Sequence, residues 1–217
     1  KLLEPTELLH PRSKASGDTN LELRETEHYF LDLPKLSDEL EEYLSTDKDH
    51  WRPNVTNFAR NYVKHLHGRP ITRDIDWGIP IPLPGYEGKC LYVWFEAVIG
   101  YFSASVEWAK NQGTPEAWQA WWYDPEALTY YFIGKDNIPF HTVIWPAELL
   151  AVGQLYCEGC ETNLNLPYDV PANEYMNFKG AKFSKSRGRT VEVPYFLSRY
   201  DPDALRFYLT AVAPETR

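Results

Sequence analysis

From Pro70 onward the sequence predicts an α/β fold built on a parallel sheet, and two observations carry that prediction. Two contiguous apolar runs, residues 91–95 and 128–133, have the composition of strands covered on both faces. Each run is followed by a stretch with helical character, residues 96–111 and 140–152. Strand alternating with helix implies right-handed crossovers and parallel neighbours.

Residues 1–69 read differently. A polar loop covers 13–20, and 21–33 alternate enough for one or two strands. A short helix is expected over 34–44. A clearer one follows Pro53, where Val55, Phe58, Ala59, Tyr62, Val63 and Leu66 recur at helical spacing until Gly68 stops it. His28 and His65 read as structural or surface residues. At Pro70 the composition shifts to Pro, Gly and aromatics, and Pro80, Pro82 and Pro84 forbid a helix and favour an extended entry. Past the alternating segments come a hairpin around Phe178-Lys179-Gly180 and helices over 194–200 and 202–213. The second has Asp201 as N-cap and Pro202 at its first position.

The chemistry concentrates in three places. Lys182-Phe183-Ser184-Lys185-Ser186, followed by Arg187-Gly188, puts two ammonium groups and two hydroxyls on a glycine-flanked turn. Such a turn suits phosphate, because lysines and backbone N–H groups offset the charge of a leaving pyrophosphate. A solvated basic loop is the alternative. In the second place, the apolar residues up to Ile133 lead through Gly134 into Lys135-Asp136-Asn137-Ile138-Pro139-Phe140-His141. Ligands of open parallel sheets bind at the carboxyl ends of strands, so Asp136 and His141 fall where substrates arrive. The third is the run Leu91-Tyr92-Val93-Trp94-Phe95, which turns into a helix through Glu96 to Tyr101.

Taken in order, the blocks Arg73-Asp74, Asp76-Trp77-Gly78-Ile79-Pro80, Val93-Trp94 with Ile99-Gly100-Tyr101, Phe132-Ile133-Gly134-Lys135-Asp136 with Phe140-His141 and Trp145-Pro146, Leu166-Pro167, and Lys182 to Ser186 closely resemble bacterial methionyl-tRNA synthetase. The resemblance runs over nearly the whole chain. It implies that residues 70–217 are the C-terminal half of a Rossmann-like parallel-sheet nucleotide-binding domain carrying the phosphate loop. Residues 1–69 would be the end of an inserted α+β connective domain. The implied reaction is ATP-dependent activation of methionine to methionyl-adenylate, with Mg2+ accompanying ATP, and transfer to tRNA(Met). Lys182 and Lys185 would hold the phosphates, Lys185 acting on the departing pyrophosphate, with Ser184, Ser186 and Gly134 completing the ATP site. Asp136 would meet the substrate ammonium or a ribose hydroxyl. A thioether is recognised by shape, sulfur–aromatic contact and a weak donor. The resemblance therefore implies Trp94, Phe140 and Trp145 as walls, and Tyr101 and His141 as donors to sulfur.

Departures from the family pattern are Phe183 in place of Met, Val98 where some members have Pro, and Asn137 and Pro139 at positions often apolar or aromatic. No His-Ile-Gly-His block and no anticodon-reading helical domain is present. The chain therefore resembles an internal fragment, expected to be inactive without the N-terminal half of the catalytic domain. A non-catalytic binding or scaffold module derived from a synthetase is the alternative.

Composition bounds these readings. A formal net charge of −9 disfavours broad neutralisation of phosphates, so contact with tRNA is expected to be local. No apolar run reaches membrane-spanning length, and no charged-then-apolar leader opens the chain. Three cysteines, an odd number, suggest a reducing, cytoplasmic setting. Cys157 and Cys160 have the spacing of half a zinc knuckle, but only distant Cys90 and scattered histidines remain as donors, so zinc is not expected and a loop with two reduced thiols is the alternative. Most of the eight Trp and fifteen Tyr must serve packing, whatever the pocket uses.

Overall fold

The computed structural model describes residues 10, 12–13, 16–22, 25–153, 163–178, 180–183, 188 and 190–215. The chain enters through β1 (Phe30–Leu31), a 3-10 turn at Leu33–Leu36, α1 (Ser37–Ser45) and α2 (Pro53–Val63). Asp38 and Glu39 in the first turn of α1 meet the positive end of its dipole, and Pro53 opens α2, where a backbone N–H is not needed. Leu40, Tyr43 and Leu44 are buried from α1, and Val55, Ala59 and Val63 from α2. The predicted helix running to Gly68 is shorter than expected. It closes at Val63, where the His65 N–H turns back to the Tyr62 carbonyl at 3.1 Å.

β2 (Arg69–Pro70) pairs antiparallel with β1, and β3 (Thr72–Arg73) pairs antiparallel with β4 (Cys90–Leu91). Pro80 joins Cys90 in an antiparallel bridge, which fits the extended entry that the prolines impose. Thr72 is buried, and its hydroxyl accepts the Tyr29 N–H at 3.2 Å and lies 2.9 Å from Nδ1 of His28, giving that histidine a structural role.

The predicted strand over 91–95 is corrected. Only Cys90–Leu91 is strand, while α3 (Val93–Glu96) is a helical turn leading into α4 (Ile99–Asn111). The Tyr92 carbonyl accepts the N–H groups of both Phe95 and Glu96, which converts the run into a turn. A short apolar run has no periodicity to separate the two forms, and half-exposed Val93 and Trp94 are not enclosed as a central strand would be. Likewise, of residues 21–33 only Phe30–Leu31 forms a strand among those described.

After α5 (Gln119–Trp122) the chain reaches the segment that carries the site. β5 (Ile133–Gly134) runs parallel to β6 (Ala172–Asn173), with a further parallel bridge between Tyr130 and Asp169. The expected parallel pairing is therefore found here, in two-stranded form among the described residues. From β5 the chain winds through a 3-10 turn, Lys135–Asn137, and a π turn, Phe140–Ile144, into α6 (Trp145–Val152). α6 buries Trp145, Ala147, Glu148 and Leu149.

α1, α2 and the loop between them share this core. Tyr43 donates its hydroxyl to the Pro167 carbonyl at 2.7 Å, and Trp51 donates its indole N–H to the Tyr168 carbonyl at 2.7 Å. The Arg52 guanidinium reaches the Ala172 carbonyl at 2.9 Å and Asn173 Oδ1 at 2.8 Å, clamping the start of α2 to β6.

β7 (Asn177–Phe178) and β8 (Ala181–Lys182) form the expected hairpin, with Gly180 at positive φ in its turn. α7 (Val193–Leu197) and α8 (Pro202–Ala211) follow. The side chain of Asp201 accepts the Asp203 N–H at 2.8 Å, the N-cap that the sequence predicts. Among the described residues no helix is long and apolar enough to cross a membrane.

Candidate active site

The site begins where β5 ends. Gly134 and the 3-10 turn Lys135–Asn137 carry the chain away from the sheet, leaving Asp136 exposed, where it accepts a hydrogen bond from the Tyr175 hydroxyl. That bond is the leading reason the Tyr175 phenol is held above its ordinary pKa. Beside it, Lys135 forms an ion pair with Glu174, and its ammonium lies 4.6 Å over the Tyr175 ring. Asp136 thus has an ordered setting. It also lines a groove of about 370 Å3 with Asn54, Phe58, Lys135, Ile138, Pro139 and Glu174.

One turn further on, the π turn brings Phe140 and His141 forward. His141 is buried, and its Nδ1 lies 3.0 Å from the Asn137 carbonyl. A carbonyl can only accept, so Nδ1 carries the proton and Nε2 is left as an acceptor. The Tyr101 hydroxyl, 2.9 Å from Nε2, is therefore the donor in that bond. Burial pushes the His141 pKa below its ordinary value, partly offset by the Asn137 bond, and favours this neutral ring. Burial also holds the Tyr101 phenol above its ordinary value. The N–H of His141 and the O–H of Tyr101 are both spent inside the protein in this arrangement. What they leave toward a ligand is an aromatic surface with a phenolic oxygen.

The remaining aromatics divide into two groups. Trp94, on α3, stacks on Phe140 with ring centres 5.5 Å apart. Trp145, at the start of α6, is buried 6.5 Å from Tyr101, and its edge meets Trp122 at 5.8 Å. The structure thus brings together Tyr101, His141 and Trp145, with Trp94 and Phe140 adjoining through the π turn. The groove beside Asp136 is lined by none of these five aromatic and imidazole side chains.

Of the phosphate loop, Lys182 ends β8, while Ser184, Lys185 and Ser186 lie outside the described residues, as do Cys157 and Cys160. Among the described residues no group of three or more His, Cys, Asp or Glu side chains could hold a metal ion. Sequence reasoning did not single out Tyr175, Glu174 or Tyr131. Tyr175 and Glu174 follow β6, and nothing in their local composition marks a partnership 39 residues distant. Tyr131 sits in the apolar run and reads there as strand packing.

The sequence profile of the tRNA synthetases class I (M) matches residues 1–217. A methionine–tRNA ligase of Thermomicrobium roseum is 56% identical over 218 residues, covering 100% of this chain and 36% of that protein. Another, from Chloroflexus aggregans, is 51% identical over 225 residues, covering 99% of this chain and 37% of that protein. A Mycobacterium tuberculosis methionyl-tRNA synthetase in complex with methionyl-adenylate superposes with a TM-score of 0.67 at 25% identity, over 91% of this chain and 36% of that one. The chain spans little more than a third of the length of the curated relatives it matches.

Proposed function

The chain belongs to the class I tRNA synthetases, and from that premise we propose that it forms one wall of the active site of a cytoplasmic methionine–tRNA ligase. The observation that carries this reading is the cluster of Trp94, Tyr101, Phe140, His141 and Trp145 where the chain leaves a parallel strand, with Asp136 one turn away. Residues 1–69 act as the end of the connective domain and residues 70–217 as the second half of the nucleotide-binding domain. The complete activity belongs to the natural protein that carries these residues, and this chain alone is not expected to perform it.

The reaction has two steps. A carboxylate oxygen of methionine attacks the α-phosphorus of ATP, the bond to the β-phosphate oxygen breaks, and pyrophosphate leaves with its Mg2+. A terminal ribose hydroxyl of tRNA(Met) then takes the acyl group, releasing AMP. Neither step uses a protein nucleophile, so positioning and charge stabilisation supply the rate. Lys182 and Lys185, with Ser184 and Ser186, bind the phosphates, and Lys185 acts on the departing pyrophosphate. Gly134 lets the ATP approach the strand end, and Asp136 receives the substrate ammonium or a ribose hydroxyl. The aromatic cluster encloses the thioether by shape and sulfur–ring contact, with the Tyr101 phenol at its polar edge. Zinc has no assigned role.

The test is methionine-dependent exchange of labelled pyrophosphate into ATP by the natural protein. Exchange driven by methionine and not by other amino acids is expected. Exchange that is absent, or indifferent to methionine, refutes the reading.

A further inference from the structure

Tyr131 stands at the centre of the aromatic cluster without belonging to the wall just described. Its N–H donates to the Asp169 carbonyl at 3.0 Å, which fixes its backbone in the parallel pairing, and its side chain is buried. Its hydroxyl accepts the indole N–H of Trp145 at 3.0 Å. Its ring meets Tyr101 edge-on, 5.0 Å between centres and 73° between planes, and lies 5.6 Å from His141. Three residues of the wall therefore converge on one side chain.

The indole of Trp145 needs such a partner. It is only 2% exposed, and its single N–H can only donate, so a Trp145 without the Tyr131 oxygen would bury an orphan donor. Apolar packing alone does not fix the ring, because the outer torsion of a tryptophan is broad and roughly two-fold. The hydrogen bond selects one orientation. For a ligand group with almost no hydrogen-bonding capacity, that orientation is the information the pocket reads.

We infer that Tyr131 is a positioning residue for methionine: its hydroxyl sets the orientation of Trp145 and its ring sets that of Tyr101, so that the pocket keeps one shape. The inference rests on the methionine reading above, and Tyr131 itself acts through its neighbours.

Tyr131→Phe keeps the ring and deletes only the hydroxyl. In steady-state kinetics on the natural protein, KM for methionine should rise about tenfold, the scale of one orphaned buried donor, with kcat and the KM for ATP little changed. In a Trp145→Phe background, where the donor is already gone, the same change should have little further effect. An unchanged KM for methionine in Tyr131→Phe overturns the inference, as does an equally large rise in the Trp145→Phe background. Parallel losses of methionine and ATP affinity would mean general loosening and also overturn it. If Tyr131→Phe alone does not fold, the double variant decides, because it contains no orphan donor: it should fold and match Trp145→Phe, and its failure to do so overturns the inference. A wild type without methionine-dependent exchange instead refutes the underlying function, whereas methionine-dependent exchange that is insensitive to Tyr131→Phe refutes only the positioning role.

Discussion

Glu148 gives the sharpest stability prediction. It sits on the buried side of α6, 7% exposed, and neither carboxylate oxygen has a hydrogen-bond partner. Burial pushes its pKa from the ordinary 4.5 up to about 8. The folded protein therefore keeps a proton that the unfolded chain releases, and folding stability falls as pH rises between those two values. Each pH unit in that window costs about 1.4 kcal/mol, so at pH 7 the deficit relative to acid pH is about 3 kcal/mol. Glu148→Gln imitates the protonated carboxyl and cannot ionise. It should leave stability nearly unchanged near pH 4.5, raise it by about 3 kcal/mol at pH 7, and flatten the profile between. Denaturant midpoints of the natural protein and the variant across this range measure the difference. A variant offset that stays the same at every pH, or a loss of stability at pH 8, would refute the reasoning.

Three further outcomes are expected. Lys185→Ala should lower pyrophosphate exchange by about 10²-fold, the scale of one preorganised charge, with methionine affinity nearly constant, and Lys182→Ala should lower it less. Asp201→Ala should destabilise the start of α8 by about 1 kcal/mol through loss of the bond to the Asp203 N–H, read as faster amide exchange in that helix. Arg52→Ala should cost about 1–3 kcal/mol in global unfolding, because the bonds to Ala172 and Asn173 that join α2 to β6 go with the guanidinium.

How much was legible in the sequence differs by element. Helices with an apolar period or a cap declared themselves: Val55, Ala59 and Val63 line the buried face of α2, and Asp201 caps α8. The strands did not, because the described ladders are two residues long and offer no alternation to read. The run 91–95 shows the cost: Tyr92 to Phe95 satisfies both templates, and only the turn at the Tyr92 carbonyl decides. Asp136 and His141 were singled out by their place after a strand, and Phe140 and Trp145 through the family resemblance; all four lie along one continuous winding from β5 to α6. The direction of the hydrogen bonds around His141 was not legible, since it depends on a carbonyl four residues back. The state of Glu148 was hidden too. A glutamate in a helix is unremarkable until both its oxygens prove to be buried and unpartnered.

The central claim is that the aromatic cluster is a thioether pocket, and kcat/KM for methionine and for norleucine across Trp94→Ala, Tyr101→Phe, His141→Ala and Trp145→Ala tests it most directly. The tryptophan variants should lose most, Trp94→Ala by removing a half-exposed flat wall and Trp145→Ala by leaving a cavity behind Tyr101. Tyr101→Phe and His141→Ala should narrow the preference for methionine over norleucine by only a few-fold, because each breaks the bond that orients the Tyr101 ring and its phenolic oxygen beside the thioether, with ATP binding preserved. Equal losses for both substrates in all four variants would mean that these side chains merely pack the core, contradicting the pocket.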